Sequence, residues 1–518
     1  MDRSINISKI ESNKIWDVII IGGGASGLGS AIESASRGYK TLLLEKHDFA
    51  KGTSSRSTKL VHGGVRYLQN GDVSLVIEAL KERGLLRKNA PHLVKDLSFV
   101  IPSYDWWSSP FYGIGLKIYD MMAGDLGIGP STILDKKETE NLIPNVNKKG
   151  LKGGVIYYDG QFDDARMAIS LAQTAEDNDA VVLNYFEVID LIKNNDETVS
   201  GLLVKDVIKE VNYTVKAKVV INATGVFSDS IMQLDDPKAS NMIQPSQGVH
   251  VVIDKKFLNS AHAIMVPHTT DGRVLFAVPW LNHVILGTTD TQTNKPLIEP
   301  KALNQEIDFI ISNAGRYMTK KPKKEDIKSV FVGLRPLAIS NNEKESTKEI
   351  SRHHKIKVST SGLISILGGK WTTYRKIGQD AINSAMIVGG LKNAKSITEN
   401  LTIHGFNLNS NFKDPLHQYG TDIDKLKTLT KDPNGNISLS KKFYITKHQI
   451  LWAIKEEMAI NLEDVLARRT RCLFIDVFET EKLIDRVLKI MAEALNKKKD
   501  WKRKQKLSFL SLIKNYKI

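Results

Sequence analysis

Hydrophobic positions first gather in a short unbroken run, Asp17–Ile21, β-branched and too brief for a helix. Such a run predicts a strand buried on both faces. Apolar positions then recur at helical spacing from Ala25 to Arg37, and Lys40–Leu44 predicts a second strand, completing a βαβ unit. Asp72 stands at the cap position of a helix predicted to reach Lys88, and Asp163 opens another to about Glu176. Further strands are predicted at Lys218–Asn222, Val249–Ile253, Val274–Val278, His283–Leu286 and Leu363–Leu367. The middle of the chain therefore reads as a separate sheet beside the first unit. The pattern lapses at Thr402, His404, Gly405, Asn407 and Asn409 and is mostly helical beyond, with Ile484, Val487, Leu488, Met491 and Leu495 on one helix face. The expected organisation is a region over 15–400 with two subdomains interleaved in sequence, a helical domain over 401–496, and a basic amphipathic tail over 497–518.

Composition narrows the class. The chain has 518 residues, 41% hydrophobic and 25% charged, which excludes a disordered chain, a collagen-like fibre and a coiled coil. One cysteine, Cys472, excludes a disulfide framework and a zinc-finger cluster, and no metal site is expected. No apolar run reaches the roughly 18–20 residues of a membrane span, and the polar stretch Met1–Trp16 lacks a signal-peptide core. A soluble or peripherally attached protein is expected. Lys and Arg outnumber Asp and Glu by 73 to 58, a net +15, and residues 497–518 alone carry nine Lys/Arg against Asp500. With Trp501, Leu507, Phe509, Leu510, Leu512, Ile513 and Tyr516 between the charges, this tail suits an anionic membrane surface or a solvated terminus. No nucleic-acid recognition motif accompanies it, and no nucleic-acid partner is expected. The cluster Trp106, Trp107, Phe111 and Tyr112 reads either as a membrane-facing patch or as core.

The chemistry begins after the first strand. Gly22-Gly23-Gly24-Ala25-Ser26-Gly27 follows Ile21 and opens the first helix, with Gly22, Gly24 and Gly27 at GxGxxG spacing. These positions serve a tight turn, approach of backbone to a pyrophosphate, and close helix–strand packing; the helix N-terminus faces the phosphates. Glu45 ends the second strand, 18 residues past Gly27, where a carboxylate accepts bonds from ribose hydroxyls and disfavours a 2′-phosphate. Next comes Lys51–Leu68, dense in hydroxyls, glycines and cations: Thr53, Ser54, Ser55, Ser57, Lys59, Leu60, His62, Gly63, Arg66 and Tyr67. Such a segment suits a long ligand with many acceptors, a flavin dinucleotide above a nicotinamide one.

With these motifs the chain resembles the FAD-dependent glycerol-3-phosphate dehydrogenases from Trp16 to about Leu495. The resemblance rests on Thr53–Leu68, Asp163–Arg166, Asn222–Gly225, Gly287–Asp290, Gly333–Leu337, Gly368–Arg375 and Leu466–Arg471. It implies an α/β fold: a glutathione-reductase-like FAD-binding Rossmann domain, an antiparallel-sheet substrate domain and a C-terminal helical domain. It also implies oxidation of sn-glycerol 3-phosphate, electrons passed to membrane quinone, and a cytoplasmic protein peripherally associated with the membrane; a homodimer is left open. FAD contacts are expected from Ile21, Gly22, Gly24, Ala25, Ser26, Gly27, Glu45, Lys46, Thr53, Ser54, Ser55, Ser57, Lys59, Leu60, His62, Gly63, Val188, Ala223, Thr224, Gly225, Gly369, Lys370, Trp371, Thr372 and Thr373. The helix after Gly368–Arg375 would aim its N-terminus at the isoalloxazine.

A small dianion needs cations, and Arg suits bidentate phosphate capture. Arg66, Tyr67, Arg335, Lys370 and, more loosely, Arg352 are the substrate-binding candidates; the family places an acid after that last arginine, where this chain has His353. The reaction needs a base for the C2 hydroxyl proton, with His250 first and His62 second. Arg335 and Lys370 would stabilise developing charge. Alternatives with the same motifs are an oxidase using O₂, which in the family carries an inserted segment not evident here, and an amino-acid oxidase of the same fold, which needs a carboxylate clamp. A basic nucleic-acid-binding flavoprotein is the alternative from another class.

Overall fold

The computed structural model describes residues 1–12, 15–64, 72–105, 108–339 and 353–518. Trp16–Ile21 lies between Thr41–Glu45 and Val211–Asn222, parallel to both. Val181–Asn184 continues the parallel order on one side and Ile364–Leu367 on the other, where Lys355–Val358 adds an antiparallel edge. Alternate residues of the first strand enter different cores: Val18 and Ile20 one, Ile19 and Ile21 the other. Burial on both faces explains the unbroken apolar run.

The helix Ala25–Ser36 crosses the helix Tyr374–Val388 at two glycines. A Cβ on Gly378 would stand 2.5 Å from the backbone of Gly29, and one on Gly29 would stand 2.5 Å from the carbonyl of Tyr374. The crossing joins residues some 350 positions apart and carries the turn before Tyr374 to the Gly22–Gly27 turn. The helices Val73–Asn89 and Asp164–Asp177 start at the predicted caps: Asp72 accepts from the Leu75 amide and Asp163 from that of Arg166.

The second sheet has ten strands among the described residues. Its spine is Ile243–Asp254 against Ile327–Ala338, antiparallel, with His250 opposite Phe331. Across the sheet follow His283–Gly287, Leu275–Trp280, Ala263–Val266, Val94–Ser103 and Gly153–Phe162. Among the described residues only the Ala263–Val266 contact with Val94–Ser103 is parallel. The strands expected from sequence are present, although those expected at Lys218 and Val249 begin earlier, at Val211 and Ile243, and the whole is mixed α/β with a helical C-terminal part.

That C-terminal part shares one hydrophobic cluster with the second sheet: Phe331, Trp280 and Val278 meet Phe474, Val477 and Met491. Residues 497–518, expected as a tail, form the helix Lys499–Ile513 and a short extension. Phe509, Ile513 and Tyr516 are buried in the same cluster, and the Val330 amide donates to the Tyr516 carbonyl at 3.0 Å. Much of the apolar side of this segment is thus taken up by the protein itself, while Leu507, Arg503 and Lys504 stay exposed.

Candidate active site

Gly22 has φ +110°, and a Cβ there would meet the Ala223 carbonyl oxygen at 2.7 Å. A Cβ on Gly27 would stand 1.9 Å from the Gly22 carbonyl oxygen, so neither position admits a side chain. Gly24 caps the helix with no side-chain acceptor of its own. The Ala25 amide donates to Ser54 Oγ at 2.9 Å, which draws the hydroxyl-rich loop onto the turn. Glu45 accepts from the Gly23 and His47 amides, at 2.7 and 2.8 Å. Burial raises its pKa. A carboxylate offers about four acceptor sites, so two remain for ribose hydroxyls. Lys46 pairs with Glu187 and so brings the Val188 strand to the same sheet end; Val188 itself packs on the core holding Ile21 and Leu44. Opposite, Asn222 Oδ1 accepts from the amide and hydroxyl of Thr224, and Gly225, at φ +60°, has open space where a Cβ would project. This cradle of glycine backbone, amide donors and a fixed carboxylate fits a dinucleotide.

The loop after it is fastened from several sides. Thr53 Oγ1 donates to the Leu334 carbonyl, Trp371 Nε1 to that of Ser54, and the His62 amide to Thr372 Oγ1. Ser57 gives its amide and hydroxyl to Asp164 Oδ2. Lys59 is fully buried. Its ammonium donates to Asp164 at 2.6 Å and to the Ser55 carbonyl at 2.8 Å, and lies over the rings of Trp280, Phe331 and Phe474. Its amide donates to Ser57 and its carbonyl accepts from Phe162. Lys59, expected among the cofactor contacts, spends its polar groups holding the loop. Burial, outweighing Asp164, lowers its pKa to about 7.

Beside this loop a cavity of about 200 Å³ opens onto the second sheet, with Thr58, Leu60, His62, Gly64, Thr288, Asp290 and Arg335 in its wall. Arg335 donates to the Thr289 carbonyl at 2.9 Å and to Thr288 Oγ1 and Asp290, each at 3.3 Å. His250 is buried behind the wall: its Nε2 meets Thr58 Oγ1 at 2.9 Å and its ring stacks on Phe331. Burial, then the charges of Lys59 and Arg335, depress His250 well below an ordinary imidazole, so it is neutral. Of the two candidate bases, His62 thus faces the cavity directly and His250 reaches it through Thr58. Gly368 and Gly369, both at positive φ, lead into the turn Trp371–Thr373, which Lys370 opens and Thr373 braces by donating to the Lys370 carbonyl. Arg66, Tyr67 and Arg352 lie outside the described residues, as do Trp106 and Trp107; Phe111 is exposed and Tyr112 buried.

Sequence reasoning did not single out Thr58, Asp290 or Asp159 as site residues, although the first two lie inside quoted motifs. Arg273, which also lines the cavity, left no signal beyond the turn dipeptide Asp271-Gly272. The role of Leu466–Arg471 was equally hidden. Arg468 and Arg469 both pair with the buried Asp48, and Arg471 donates to Asp164 and the Ser55 carbonyl. No cluster suited to a metal occurs among the described residues.

Residues 17–375 match the FAD dependent oxidoreductase family, and residues 365–506 the C-terminal domain of alpha-glycerophosphate oxidase. The mitochondrial glycerol-3-phosphate dehydrogenase of Homo sapiens is 37% identical over 98% of this chain and 74% of its own length. The glycerol-3-phosphate dehydrogenase from Bacillus halodurans, complexed with FAD, superposes with a TM-score of 0.80 at 28% identity, covering 99% of this chain and 97% of that one. An L-alpha-glycerophosphate oxidase from Mycoplasma pneumoniae with FAD bound shares the fold over 74% of this chain and 97% of its own, at a TM-score of 0.55 and 19% identity. FAD is the dinucleotide that the cradle takes.

Proposed function

We propose, because this chain belongs to the FAD-dependent glycerol-3-phosphate dehydrogenase family, that it oxidises sn-glycerol 3-phosphate to dihydroxyacetone phosphate and passes the electrons to a membrane quinone. The observation that carries the reading is the cavity, where Arg335, His62 and the Thr58–His250 pair meet beside the cofactor loop. FAD held in the cradle would supply the two-electron oxidation chemistry. The chain does the rest. Arg335 donates to the C2 oxygen and stabilises the negative charge growing there. Thr58 Oγ1 takes the hydroxyl proton as it gives its own to the neutral Nε2 of His250, a transfer that needs hydrogen-bond contact at each step. Arg66, Tyr67, Lys370 and Arg352 are the residues proposed by resemblance to hold the dianion.

Anaerobic titration of the yellow holoenzyme with glycerol 3-phosphate tests the reaction: stoichiometric loss of flavin absorbance is expected. A flavin that stays oxidised with this substrate but bleaches with glycine or sarcosine would move the protein to the amino-acid oxidases.

The acceptor and the peripheral attachment to the cytoplasmic membrane belong to the same proposal. Support comes from the helix Ser108–Ala123, whose Phe111, Ile114, Ile118 and Met121 share one side at spacings of three and four residues; all are exposed, Met121 to 81%. No helix among the described residues is long and apolar enough to cross a membrane, so the contact proposed is lateral. Ile114→Glu combined with Met121→Glu should weaken sedimentation with anionic vesicles and slow quinone reduction while leaving turnover with a soluble dye intact. Stoichiometric peroxide in air without quinone would favour an oxidase.

A further inference from the structure

Arg335 owes its direction to its neighbours. Its strand, Ile327–Ala338, runs beside Ile243–Asp254, and the side chain crosses over Gly248, where a Cβ would stand 2.7 Å from Nη2. The guanidinium then rests on two backbone carbonyls: Nη2 donates to that of Thr289 at 2.9 Å and Nη1 to that of Gln247 at 3.4 Å. A carbonyl can aim an arginine only if its own peptide is fixed.

Both residues that lend these carbonyls send their side chains to one carboxylate. Gln247 Nε2 donates to Glu306 Oε2 at 2.7 Å, and Thr289 Oγ1 donates to Glu306 Oε1 at 3.0 Å. Thr291 Oγ1 at 2.7 Å and the Leu303 amide at 2.9 Å add two more donors. Thr289 and Thr291 flank Asp290, so the same carboxylate fixes the turn that brings Asp290 and Thr288 to the guanidinium, each at 3.3 Å. A carboxylate has about four acceptor sites, and Glu306 has none to spare for a ligand. Gln247 and Thr289 are committed as fully: Gln247 Nε2 also donates to the Lys301 carbonyl, and Thr289 Oγ1 accepts from the Val249 amide.

Glu306 acts from the far face of the sheet. Successive side chains of a strand point to opposite faces. Gln247 falls in with Val249 and Val251, which share a core with Ile307 and Ile310 of the helix Asn304–Arg316. Phe99 and Met265 of the cavity wall belong to the other core, with Val252 and Phe331. Glu306 stands in the first turn of that helix, where the dipole favours an anion. It is 6% exposed. Burying a carboxylate is costly unless it is hydrogen-bonded, and Ile307, Ile310 and Ala314 already pack this helix on the sheet without it.

We propose that Glu306 is a positioning residue: through Gln247 and Thr289 it fixes the two carbonyls that aim Arg335 at the substrate oxygen. The assignment rests on the function proposed above. It makes the precision of the cavity depend on a group on the opposite face of the sheet.

Stopped-flow flavin reduction by glycerol 3-phosphate in holoenzyme variants tests it. Glu306→Ala should lower the limiting rate about 10- to 100-fold, the cost of a misplaced group, with the substrate Kd within about threefold. Glu306→Gln keeps the shape, and the hydroxyls of Thr289 and Thr291 can turn to accept from its amide; it should recover most of the rate. Placed on Arg335→Ala, where no guanidinium remains to be aimed, Glu306→Ala should change the rate by less than about threefold. An unchanged rate overturns the assignment. So does the same fold-loss in both backgrounds, which is what a merely structural role predicts. If Glu306→Ala does not fold, Gln247→Met decides by the same comparison, since it cuts one link and keeps the carbonyl. A wild-type flavin that glycerol 3-phosphate does not reduce would instead sink the proposed reaction. The rate at which phenylglyoxal labels Arg335, read by peptide mass spectrometry, would then decide for Glu306 without turnover: faster labelling in Glu306→Ala supports the anchoring, and an equal rate ends it.

Discussion

At the residue scale the site turns on how a buried imidazole is kept neutral. His250 has Phe331 against its face and Thr58 on Nε2; its burial, and then the charges of Lys59 and Arg335, disfavour the imidazolium. A base must be unprotonated to act, so the acid limb of kcat/KM should fall well below pH 6.5, where an ordinary imidazole titrates. A limb near 6.5 would remove His250 from the role. Thr58→Val keeps the shape but breaks the relay and should lower kcat by about 10²- to 10⁴-fold; a loss under threefold in single-turnover flavin reduction would rule the relay out. Arg335→Ala should lower kcat/KM about 10²- to 10³-fold with FAD content unchanged; wild-type kinetics would remove it from the chemistry. Arg335 and His250 could be picked out from sequence because each lies in a motif on a long strand. The depth of His250 behind Thr58 could not, because it depends on a register, His250 opposite Phe331, that joins strands 80 residues apart.

At the element scale the loop over 53–64 has little regular structure, and its position comes from buried charge. Asp164, at the start of its helix, holds Ser57, Lys59 and Arg471, and Lys59 and Arg471 also share the Ser55 carbonyl. Breaking a buried pair by removing one partner leaves the other charge uncompensated, at about 3–5 kcal/mol. Asp164→Asn should therefore lower the thermal midpoint and loosen FAD, measured as flavin released on gel filtration. Full retention of FAD at unchanged stability would show that the loop is held otherwise. The helix crossing at Gly29 and Gly378 is equally exacting. Gly378→Val overpacks a backbone contact and should cost about 1–3 kcal/mol or more, read by denaturant unfolding; a neutral result would mean that the helices can part without penalty. Periodicity located the helices Ala25–Ser36, Val73–Asn89 and Asp164–Asp177 and the strands Trp16–Ile21 and Thr41–Glu45, because each buries a regular face, but not the short parallel strand Val181–Asn184 or the helices Ser108–Ala123 and Asn304–Arg316. It did not find Val94–Ser103 or Gly153–Phe162, whose Lys95, Asp96, Pro102 and Asp159 break the alternation.

At the scale of the whole molecule, the C-terminal part is wedged against both sheets, and charge at the junctions decides how firmly. The helical character of the region after about residue 401, up to 496, was legible from apolar stripes such as Ile484, Val487, Leu488 and Met491; that residues 497–518 form a helix with an inward face was not, since a basic sequence with apolar gaps looks alike whether it docks on protein or on lipid. One junction is titratable. His404 bonds Asp177, at the end of a helix on the first sheet, through Nδ1 at 2.6 Å and Asp422, in the C-terminal part, through Nε2 at 2.8 Å. Burial alone would lower its pKa, but the two carboxylates outweigh that and raise it from 6.5 to about 9. A histidine whose folded pKa lies above its unfolded one contributes stability in full below 6.5 and loses it as pH rises through about 9. The neighbouring His92, whose ring nitrogen meets the His404 carbonyl, is depressed by burial to about 4, and His417 is lowered too. Both are neutral across this window and act only at lower pH, with the opposite sign. His404→Gln should therefore start with a lower thermal midpoint at pH 6.5, and the two curves should draw together towards about pH 10. Curves that stay parallel from pH 6.5 to 10 would show that the bridge contributes nothing that depends on its charge.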